Sequence, residues 1–269
     1  MSGGDYVHGY SEREHQRLLD QAGSLVELLH ADTAFPAGSE VLEAGCGVGA
    51  QTVTIAAQSP GARFLSIDIS PASLAAARER VTKAGLVNVT FQQADIFDLP
   101  FPPTRFDHVF VCFVLEHLKD PAGALLRLKT MLKPGGSITV IEGDHGSTYF
   151  HPDNEDARRA VQCLVEVQAR MGGNSLIGRE LYPHLVQAGF GQVSVSPRMV
   201  YVDGSKPALI EGFTRNTFTT MVEGVREPAL AAGLMDAASW QRGIDGLNRS
   251  ATEDGVFCYT FFKARGIAP

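Results

Sequence analysis

The sequence predicts an α/β fold built on a doubly wound, mostly parallel sheet. Short segments that are apolar throughout alternate with helical segments from about residue 40 to residue 145, and such strands are typical of a sheet covered on both faces. A glycine cluster joins the first predicted strand to the next helix. The chain has 269 residues, of which 44% are hydrophobic and 20% charged, so it can bury a full core and is neither disordered nor fibrous.

Capping and stop signals set the predicted bounds of the elements. Ser11 and Glu14 form a capping-box pattern, and Ser70 and Asp120 each precede a proline at a first helical position. The predicted helices are 12–30, 51–58, 71 to the stop at Gly85, 121–132 and 180–188, and the predicted strands are 40–44, 63–68, 89–95, 108–115, 137–142, 192–201 and 256–263. Segments of about 146–178 and 205–252 fall outside this repeat, and we expect them to form a helical lid over one sheet edge.

Charge and composition exclude several classes of function. The 23 basic and 30 acidic residues give a net charge of −7, a poor match for nucleic acid or an anionic membrane. The longest apolar run, Val109 to Leu115, is too short to span a bilayer, and the first thirty residues lack the apolar core of a signal peptide. The four cysteines form no C-x-x-C pair. We therefore expect a cytoplasmic protein with no nucleic acid partner and no membrane insertion.

The glycine cluster indicates a nucleotide-like ligand. Gly45, Gly47 and Ala50 satisfy the pattern G-x-G-x-x-G/A, in which glycines let the backbone approach a ligand beside a helix N-terminus. This motif alone does not separate a nicotinamide cofactor from an adenosyl cofactor. It also fits a tight turn that binds nothing.

Three acidic residues at successive strand ends favour a cationic adenosyl ligand. Glu43 lies two positions before the first glycine, where a carboxylate suits an ammonium group better than a pyrophosphate. Asp68 ends the second strand and can accept hydrogen bonds from both hydroxyls of a ribose. Asp95 ends the third strand, where it could receive an adenine amino group while Ile69 and Ile96 cover the ring. We expect the three carboxylates to converge on one ligand.

Five segments together resemble a known family. They are Val41–Gly49, Ser66–Pro71, Gln93–Ile96, Phe106–Leu118 and Leu132–Gly136. The sequence resembles the class I S-adenosylmethionine-dependent methyltransferases, and within them the ubiquinone and menaquinone biosynthesis C-methyltransferases, over about 38–145 and more loosely over 176–265. The resemblance implies a Rossmann-like seven-stranded sheet with an antiparallel last strand, for which the segment 256–263 fits. It divides the chain into an N-terminal helical cap (1–35), an S-adenosylmethionine-binding core (36–145) and a remainder that carries the lid (146–269).

The resemblance also implies roles for individual residues. It assigns the methionine part of the cofactor to Glu43, Gly45 and Gly47, the ribose to Asp68, the adenine to Ile69, Asp95 and Ile96, and the amino group to the carbonyl of Cys112, with Phe113 and His117 nearby. Cys46 is interpreted as a small residue of this loop and not as a nucleophile. Tyr10 and Arg17 either close over the methionine carboxylate or form a hydrophobic staple and a surface charge.

Catalytic candidates come from the segment Glu142–Gly146, expected to follow the fifth strand. His145 or Glu142 could act as a general base, because histidine titrates near neutrality and burial tunes a carboxylate upward. The alternative is a polar turn. Acidic and histidine side chains over 144–153 match no metal-ligand spacing, so no metal is expected.

The sequence thus predicts an S-adenosylmethionine-dependent methyltransferase that transfers a methyl group directly to a small organic molecule. Two alternatives stay open: an NAD-dependent oxidoreductase that uses the same loop, and a non-methylating relative that keeps the adenosyl cofactor as a structural element. The natural substrate, the methylated atom and the formation of a homodimer are not decided at this level.

Overall fold

The computed structural model describes residues 25–269, which begin with the helix α1 (25–30), the described part of the helix predicted over 12–30. The strands are β1 (Glu40–Ala44), β2 (Arg63–Asp68), β3 (Val89–Gln93), β4 (Phe106–Cys112), β5 (Leu132–His151), β6 (Gly191–Val202) and β7 (Val256–Ile267). The helices are α2 (Ala50–Gln58), α3 (Pro71–Lys83), α4 (Pro121–Met131), α5 (Glu155–Arg170), α6 (Leu181–Gln187), α7 (Pro207–Leu209), α8 (Thr220–Glu223), α9 (Arg226–Ala231) and α10 (Ala237–Ser250). Two 3-10 turns (Leu115–His117 and Ile177–Glu180) and a π-helix (Ile210–Thr219) complete the described elements.

The seven strands form one sheet in the order β3-β2-β1-β4-β5-β7-β6. Strands β1 to β5 pair in parallel, and β7 lies antiparallel between β5 and β6. The predicted mostly parallel sheet with an antiparallel last strand is confirmed. Because the strand order reverses between β1 and β4, the carboxyl ends of these strands border the crevice in which open α/β sheets bind ligands.

Local capping explains where α3 and α4 begin. The Ser70 hydroxyl accepts the N–H of Ser73, and Pro71 occupies the first turn of α3. Asp120 caps α4 in the same way, through the N–H of Gly123. Each side chain satisfies a backbone donor that would otherwise lack a partner at the helix start. These two predicted helix starts are confirmed.

The predicted end of β5 at Glu142 is wrong. The strand continues to His151, because β7 pairs with it at Gly143 and Asp144 and again over 149–151. The glycine-rich, polar sequence beyond Glu142 is typical of a turn, but pairing with a neighbouring strand overrides this local preference. The segment 142–146 therefore lies within the strand, and the predicted lid segment begins with strand residues. Strands β3 and β4 also end earlier than predicted, at Gln93 and Cys112.

A π-helix forms part of the segment that was predicted to be helical over 205–252. Three threonine hydroxyls donate to carbonyls five residues earlier, as in Thr217 to Gly212. Phe213 and Phe218 are also five residues apart, and both ring systems contact Tyr259 of β7. The wider turn of the π-helix thus places two aromatic rings on one face.

The end of α1 is fixed to the sheet by Lys263 of β7. The Lys263 ammonium donates to the carbonyl of Leu29 at 3.1 Å, to the Asp32 carboxylate at 2.6 Å and to the Thr33 hydroxyl at 2.6 Å. Arg198 of β6 binds the other oxygen of the same Asp32 carboxylate at 2.5 Å. A cation at the C-terminus of a helix satisfies terminal carbonyls and complements the helix dipole. These contacts hold the end of α1 against β6 and β7.

Candidate functional site

The glycine loop after β1 leaves open space on one side. Gly45, Gly47 and Gly49 have positive φ angles of 77°, 53° and 76°, which L-residues rarely adopt. A Cβ at Gly45 would press against Val114, and one at Gly49 would meet Ala77 at 3.0 Å. A Cβ at Gly47 would meet nothing within 4 Å. The loop is therefore packed tightly at its two ends and open at its centre, as a ligand cradle requires.

Asp68 ties the end of β2 to this loop. One carboxylate oxygen accepts the N–H of Gly47 at 2.8 Å, and the other accepts the N–H of Ser70 at 2.9 Å. Burial raises the pKa of Asp68, an effect that these backbone hydrogen bonds oppose. Each oxygen keeps a second lone pair, so the carboxylate can still accept hydrogen bonds from the two hydroxyls of a ribose.

Glu43 is a buried carboxyl group beneath the loop. The hydroxyls of Ser66 and Thr52 donate to the same Glu43 oxygen, at 2.6 and 2.8 Å. Burial, aided by the nearby Asp68 charge and opposed by the two hydroxyls, raises the pKa of Glu43 to about 7. Glu43 and Asp68 lie near the carboxyl ends of two paired parallel strands, β1 and β2. A cationic ligand there would favour the ionised form of Glu43.

The residues predicted to surround an adenine follow β2 and β3. Ile69 is 45% exposed, an unusual position for an isoleucine, whereas Ile96 is buried. Asp95 is exposed, and its Oδ1 atom accepts the N–H of Phe97 at 2.9 Å. The exposed Ile69 side chain thus offers an apolar surface, and the Asp95 carboxylate has a second oxygen, Oδ2, that does not accept the Phe97 N–H. Whether Asp95 reaches the same ligand as Glu43 and Asp68 stays a prediction.

The end of β4 contains a strained residue. Phe113 has a φ angle of 58°, which is rare for a bulky side chain, and its N–H donates to the carbonyl of Ile141. Such strain concentrates at functional sites, where it directs backbone groups toward a ligand. Burial raises the pKa of the neighbouring Cys112 thiol, and the charges of Glu142 and Glu43 raise it further. The thiol therefore stays protonated, and the Cys112 carbonyl stays the group expected to bind a cofactor amine.

Cys46 also behaves as a small buried residue. Its thiol is mostly buried, and burial raises the pKa, as do the nearby Glu43 and Asp68 charges. A protonated thiol is a poor nucleophile. This agrees with the interpretation of Cys46 as a loop residue without a covalent role.

Glu142 joins β5 to the loop that follows β4. One of its carboxyl oxygens accepts the N–H groups of Val114 and Leu115, at 2.9 and 2.7 Å. Burial raises the pKa of Glu142 well above its ordinary value, and the Glu116 charge raises it further. Its other oxygen is buried and has no hydrogen-bond partner among residues 25–269. The geometry makes Glu142 a buried hydrogen-bond acceptor at the start of the 3-10 turn Leu115–His117.

His145 lies at an irregularity in β5. The register with β7 shifts between Asp144 and Tyr149, so the His145 N–H pairs instead with the carbonyl of Ser175 at 2.9 Å. The ring Nδ1 atom lies 2.7 Å from the Tyr259 hydroxyl, and the ring meets Phe218 edge-on at 6.1 Å between centroids. Bulges of this kind redirect a side chain next to a functional site. His145 is buried among these contacts.

Not every predicted site residue can be placed. Tyr10 and Arg17 lie outside the described residues. His117 lies in the 3-10 turn after β4, where its Nε2 atom is 3.6 Å from a Glu116 oxygen. Sequence reasoning missed Tyr259, because a tyrosine in an aromatic strand reads as ordinary core. Only the antiparallel pairing of β7 with β5 brings it beside His145.

Residues 25–269 offer neither a metal site nor a membrane-spanning helix. No group of three or more His, Cys, Asp or Glu side chains in this range is placed to hold a metal ion. The helices of the same range include none with the length and apolar character needed to cross a bilayer.

Comparison with known proteins places this site in a family. A family model described as a methyltransferase domain matches residues 42–140. The methyltransferase GfsG of Streptomyces halstedii is 31% identical over 220 residues, which is 81% of this chain and 76% of that protein. A demethylmenaquinone methyltransferase of Tropheryma whipplei is 39% identical over 116 residues, 43% of this chain and 46% of that protein.

A solved structure shares the fold. Phosphoethanolamine N-methyltransferase 2 of Haemonchus contortus, in complex with phosphomonomethylethanolamine and S-adenosylhomocysteine, has a TM-score of 0.56 and 19% identity. The match covers 93% of this chain and 53% of that one. The chain spans only part of the length of three other curated relatives: 60%, 34% and 56%. The chain belongs to the class I S-adenosylmethionine-dependent methyltransferases.

The residues present fit the cofactor of this family. The open centre of the glycine loop leaves space for a ligand, the Glu43 carboxyl lies in the strand that leads into this loop, and Asp68 keeps lone pairs for ribose hydroxyls. An acidic site of this kind suits a cationic ligand and disfavours a pyrophosphate.

Proposed function

We propose that this protein transfers a methyl group from S-adenosylmethionine directly to a small organic molecule. The observation that best supports the proposal is the contact between Asp68 and the Gly47 N–H, with the buried Glu43 carboxyl beside it. A ribose acceptor and an ammonium acceptor thus flank an open glycine loop. A nicotinamide dinucleotide would bring its pyrophosphate against these two carboxyl groups, which disfavours the oxidoreductase alternative.

Each residue around the loop has a distinct binding role in this proposal. Glu43 and the Cys112 carbonyl hold the methionine amino group, Asp68 holds the ribose hydroxyls, and Ile69 and Ile96 cover the adenine. When bound, S-adenosylmethionine supplies a methyl carbon attached to a cationic sulfur, which leaves as a neutral thioether. No covalent enzyme intermediate is needed, in agreement with the protonated cysteines.

Rate acceleration then comes mainly from alignment and from exclusion of water. Holding two reactants at near-attack distance can lower a barrier by roughly 7 to 11 kcal/mol. The N-terminal cap (1–35) and the helical segments within 146–178 and 205–252 would provide this enclosure around the core (36–145). α5 packs on α10, and the π-helix packs on β7, so these helices already form one layer.

The two predicted bases have different surroundings. Glu142 accepts two backbone N–H groups and has a raised pKa, so it serves best as a positioning residue for the loop after β4. His145 is held by Tyr259 and lies at a bulge near the same strand ends. We therefore assign contact with the acceptor to His145.

The acceptor class and location are part of the same proposal. A net charge of −7 favours a small molecule over nucleic acid, and the thiols have no partner thiol in the described residues, as suits a reducing cytoplasm. A homodimer is compatible with this assignment and is measured by light scattering in solution.

Calorimetric titration with S-adenosylmethionine and S-adenosylhomocysteine tests the proposal. We expect both to bind the wild type, and Asp68→Ala to weaken binding by at least tenfold, because two ribose hydroxyls lose their acceptor. Asp245→Ala, on the exposed face of α10, is the matched control and should bind as the wild type does.

Two outcomes would overturn the assignment. NADH binding without S-adenosylhomocysteine binding would favour the oxidoreductase. Cofactor binding without release of S-adenosylhomocysteine over a broad panel of phenols, enols and amines would favour a non-methylating relative.

A further inference from the structure

Phe113 holds a backbone conformation that a bulky residue disfavours. Its φ angle is 58°, in the left-handed region that glycine adopts freely and large side chains avoid. A residue keeps such a conformation only where the surrounding structure fixes the chain around it. The contacts on both sides of Phe113, and the direction of its ring, show what this conformation achieves.

The chain is fixed to β5 at Phe113 and directly after it. The Phe113 N–H donates to the carbonyl of Ile141 at 2.9 Å, which continues the pairing of β4 with β5. The next two N–H groups, of Val114 and Leu115, both donate to one Glu142 oxygen. The chain therefore has to leave the strand direction within a single residue, and Phe113 is that residue.

This turn decides on which face of the sheet the ring lies. Successive side chains of a strand alternate between the two faces. Val111 packs in the cluster that contains α4, and Cys112 packs against the cluster on the lid face, on which α5, the π-helix and α10 pack. Alternation would return Phe113 to the α4 face, but its ring packs against Phe261 on the lid face. The left-handed φ angle thus directs the ring toward the lid.

Phe113 ends a chain of aromatic rings that runs under the lid. Its ring lies 5.3 Å from that of Phe261, between centroids, and Phe261 contacts Phe213 at 5.9 Å and Tyr259 at 4.7 Å. The side chains of Phe213, Tyr259 and Phe261 are at most 2% exposed, whereas Phe113 is only half-buried. Part of the Phe113 ring therefore remains accessible.

The accessible ring lies beside the glycine loop. Val114, the next residue, packs so closely on this loop that a Cβ at Gly45 would come within 2.5 Å of its side chain. Ala44, which leads into the loop, pairs with Val111 of β4. Phe113 thus stands at the carboxyl end of β4, between the glycine loop and the aromatic rings under the lid. This is the region between a ligand of the loop and anything bound under the lid.

The strain is the reason to assign the ring a role of its own. A glycine at position 113 would make the same turn without strain. A phenylalanine needed only for the core would be fully covered, as Phe261 is. Strain that is retained for a half-exposed side chain is typical of a site where that side chain meets a ligand.

We propose that the Phe113 ring forms a wall of the acceptor site, and that the acceptor is a planar, unsaturated ring compound whose face packs on it. This inference rests on the proposed methyl transfer and names the class of its acceptor. Contact between two aromatic rings contributes a factor of about 2 to 12 in binding beyond the effect of the buried apolar area. Phe113 is thus the residue that determines specificity for a planar acceptor.

Binding of a matched pair of ligands measures the preference for a planar ring. 2-Naphthol is planar, and decahydro-2-naphthol has the same carbon skeleton without the π-system. Each is titrated calorimetrically into the full chain with saturating S-adenosylhomocysteine. We expect the wild type to prefer 2-naphthol, and Phe113→Leu, which stays apolar but lacks the ring, to lose about 2- to 12-fold of this preference. Phe91→Leu, at a half-buried phenylalanine of β3, is the matched control and should keep it.

Three results would overturn the proposal. Equal affinity of the wild type for both ligands, or binding of neither, would show that the site does not select a planar ring. An unchanged preference in Phe113→Leu would show that this ring is not the wall. If Phe113→Leu does not fold, Phe113→Met takes its place, and the wild-type preference already tests the acceptor class.

Cofactor titrations separate a contact with the acceptor from a contact with the cofactor. An aromatic face also attracts a cation, and S-adenosylmethionine has a cationic sulfur that S-adenosylhomocysteine lacks. We expect Phe113→Leu to bind both as the wild type does. Weaker binding of S-adenosylmethionine alone would show that the ring faces the sulfonium and would overturn the acceptor role. If S-adenosylhomocysteine does not bind the wild type, the proposed function fails, whereas the ligand pair still measures the preference with the protein alone.

Unfolding of two variants tests the strained conformation itself. At most positions alanine gives a more stable protein than glycine, but at a left-handed φ angle the order reverses. Both Phe113→Gly and Phe113→Ala lose the ring, so their difference reports the backbone. We expect the higher urea midpoint for Phe113→Gly. A higher midpoint for Phe113→Ala would show that position 113 is not left-handed in solution, and would remove the basis of the proposal.

Discussion

The buried carboxyl of Glu43 should make cofactor binding depend on pH. With a pKa of about 7, Glu43 is about 3% ionised at pH 5.5 and about 50% ionised at pH 7 in the free protein. A bound ammonium group favours the ionised form and holds the pKa down in the complex. The apparent Kd for S-adenosylmethionine should therefore fall about 16-fold from pH 5.5 to pH 7, the ratio of these ionised fractions.

The direction of this pH dependence follows from the release of a proton on binding. Binding removes a proton from Glu43 at low pH, so raising the pH strengthens binding until the carboxyl is ionised without ligand. Above about pH 8 an α-amino group loses its own proton, and the gain ends. Calorimetry at pH 5.5, 6, 6.5 and 7 measures the trend, and buffers of different ionisation enthalpy count the released proton.

Two variants identify the titrating group. Glu43→Gln should bind with nearly the same affinity at every pH, close to the wild-type value at pH 5.5. Asp68→Asn binds more weakly and should keep a pH dependence that is shifted to lower pH, because the Asp68 charge that helps to raise the pKa of Glu43 is gone. A wild-type Kd that varies less than twofold over this range, or a slope that persists in Glu43→Gln, would refute an ammonium contact with Glu43.

Three further outcomes follow from the packing. Glu142→Gln should keep both the activity and the free energy of unfolding, the latter within a few tenths of a kcal/mol, whereas Glu142→Ala leaves two backbone N–H groups without an acceptor and should lower the free energy of unfolding by about 1 to 3 kcal/mol for each. Denaturant unfolding compares the two variants. Loss of activity in a folded Glu142→Gln protein would instead support a general base. Gly143→Ala should lower the free energy of unfolding by about 1 to 3 kcal/mol, because its Cβ would overlap the Tyr259 hydroxyl. Gly191→Ala, where a Cβ meets nothing closer than 3.9 Å, should change stability little. Similar melting temperatures for the two variants would contradict this prediction. Lys263→Met removes three hydrogen bonds from the end of α1 and should lower the free energy of unfolding by about 1 to 3 kcal/mol, measured in urea. An unchanged urea midpoint would show that the Lys263 ammonium does not stabilise this end of α1.

Local signals in the sequence were sufficient for the parallel half of the fold. Ser70 and Asp120 cap helices through their own side chains, and β1 and β2 have the predicted bounds, because each depends on residues close in the chain. The extension of β5 was not predictable in this way. It depends on a partner strand more than a hundred residues later, whose pairing overrides a turn-like sequence.

In the candidate site, too, the residues indicated by local sequence were predicted, and those brought together by distant strand pairing were not. Glu43, Gly47 and Asp68 were predicted together, because carboxyl ends of parallel strands meet at one edge and a glycine loop marks that edge. Tyr259 was missed, since nothing near it in sequence indicates a polar partner. The spacing of five residues between Phe213 and Phe218 is a visible sign of the π-helix, whereas the segment 205–252 was predicted only as part of a helical lid.

Because Phe213 and Phe218 are five residues apart, the number of residues in the π-helix determines which side chains contact Tyr259. Removing one residue between Phe213 and Phe218 would convert the π-turn into an α-turn and rotate all following side chains by about 100° about the helix axis. Phe213 would keep its place, whereas Phe218 would leave the His145 ring. Homologous chains that differ by one residue in this helix therefore present different walls to their acceptors even where every aligned side chain is the same.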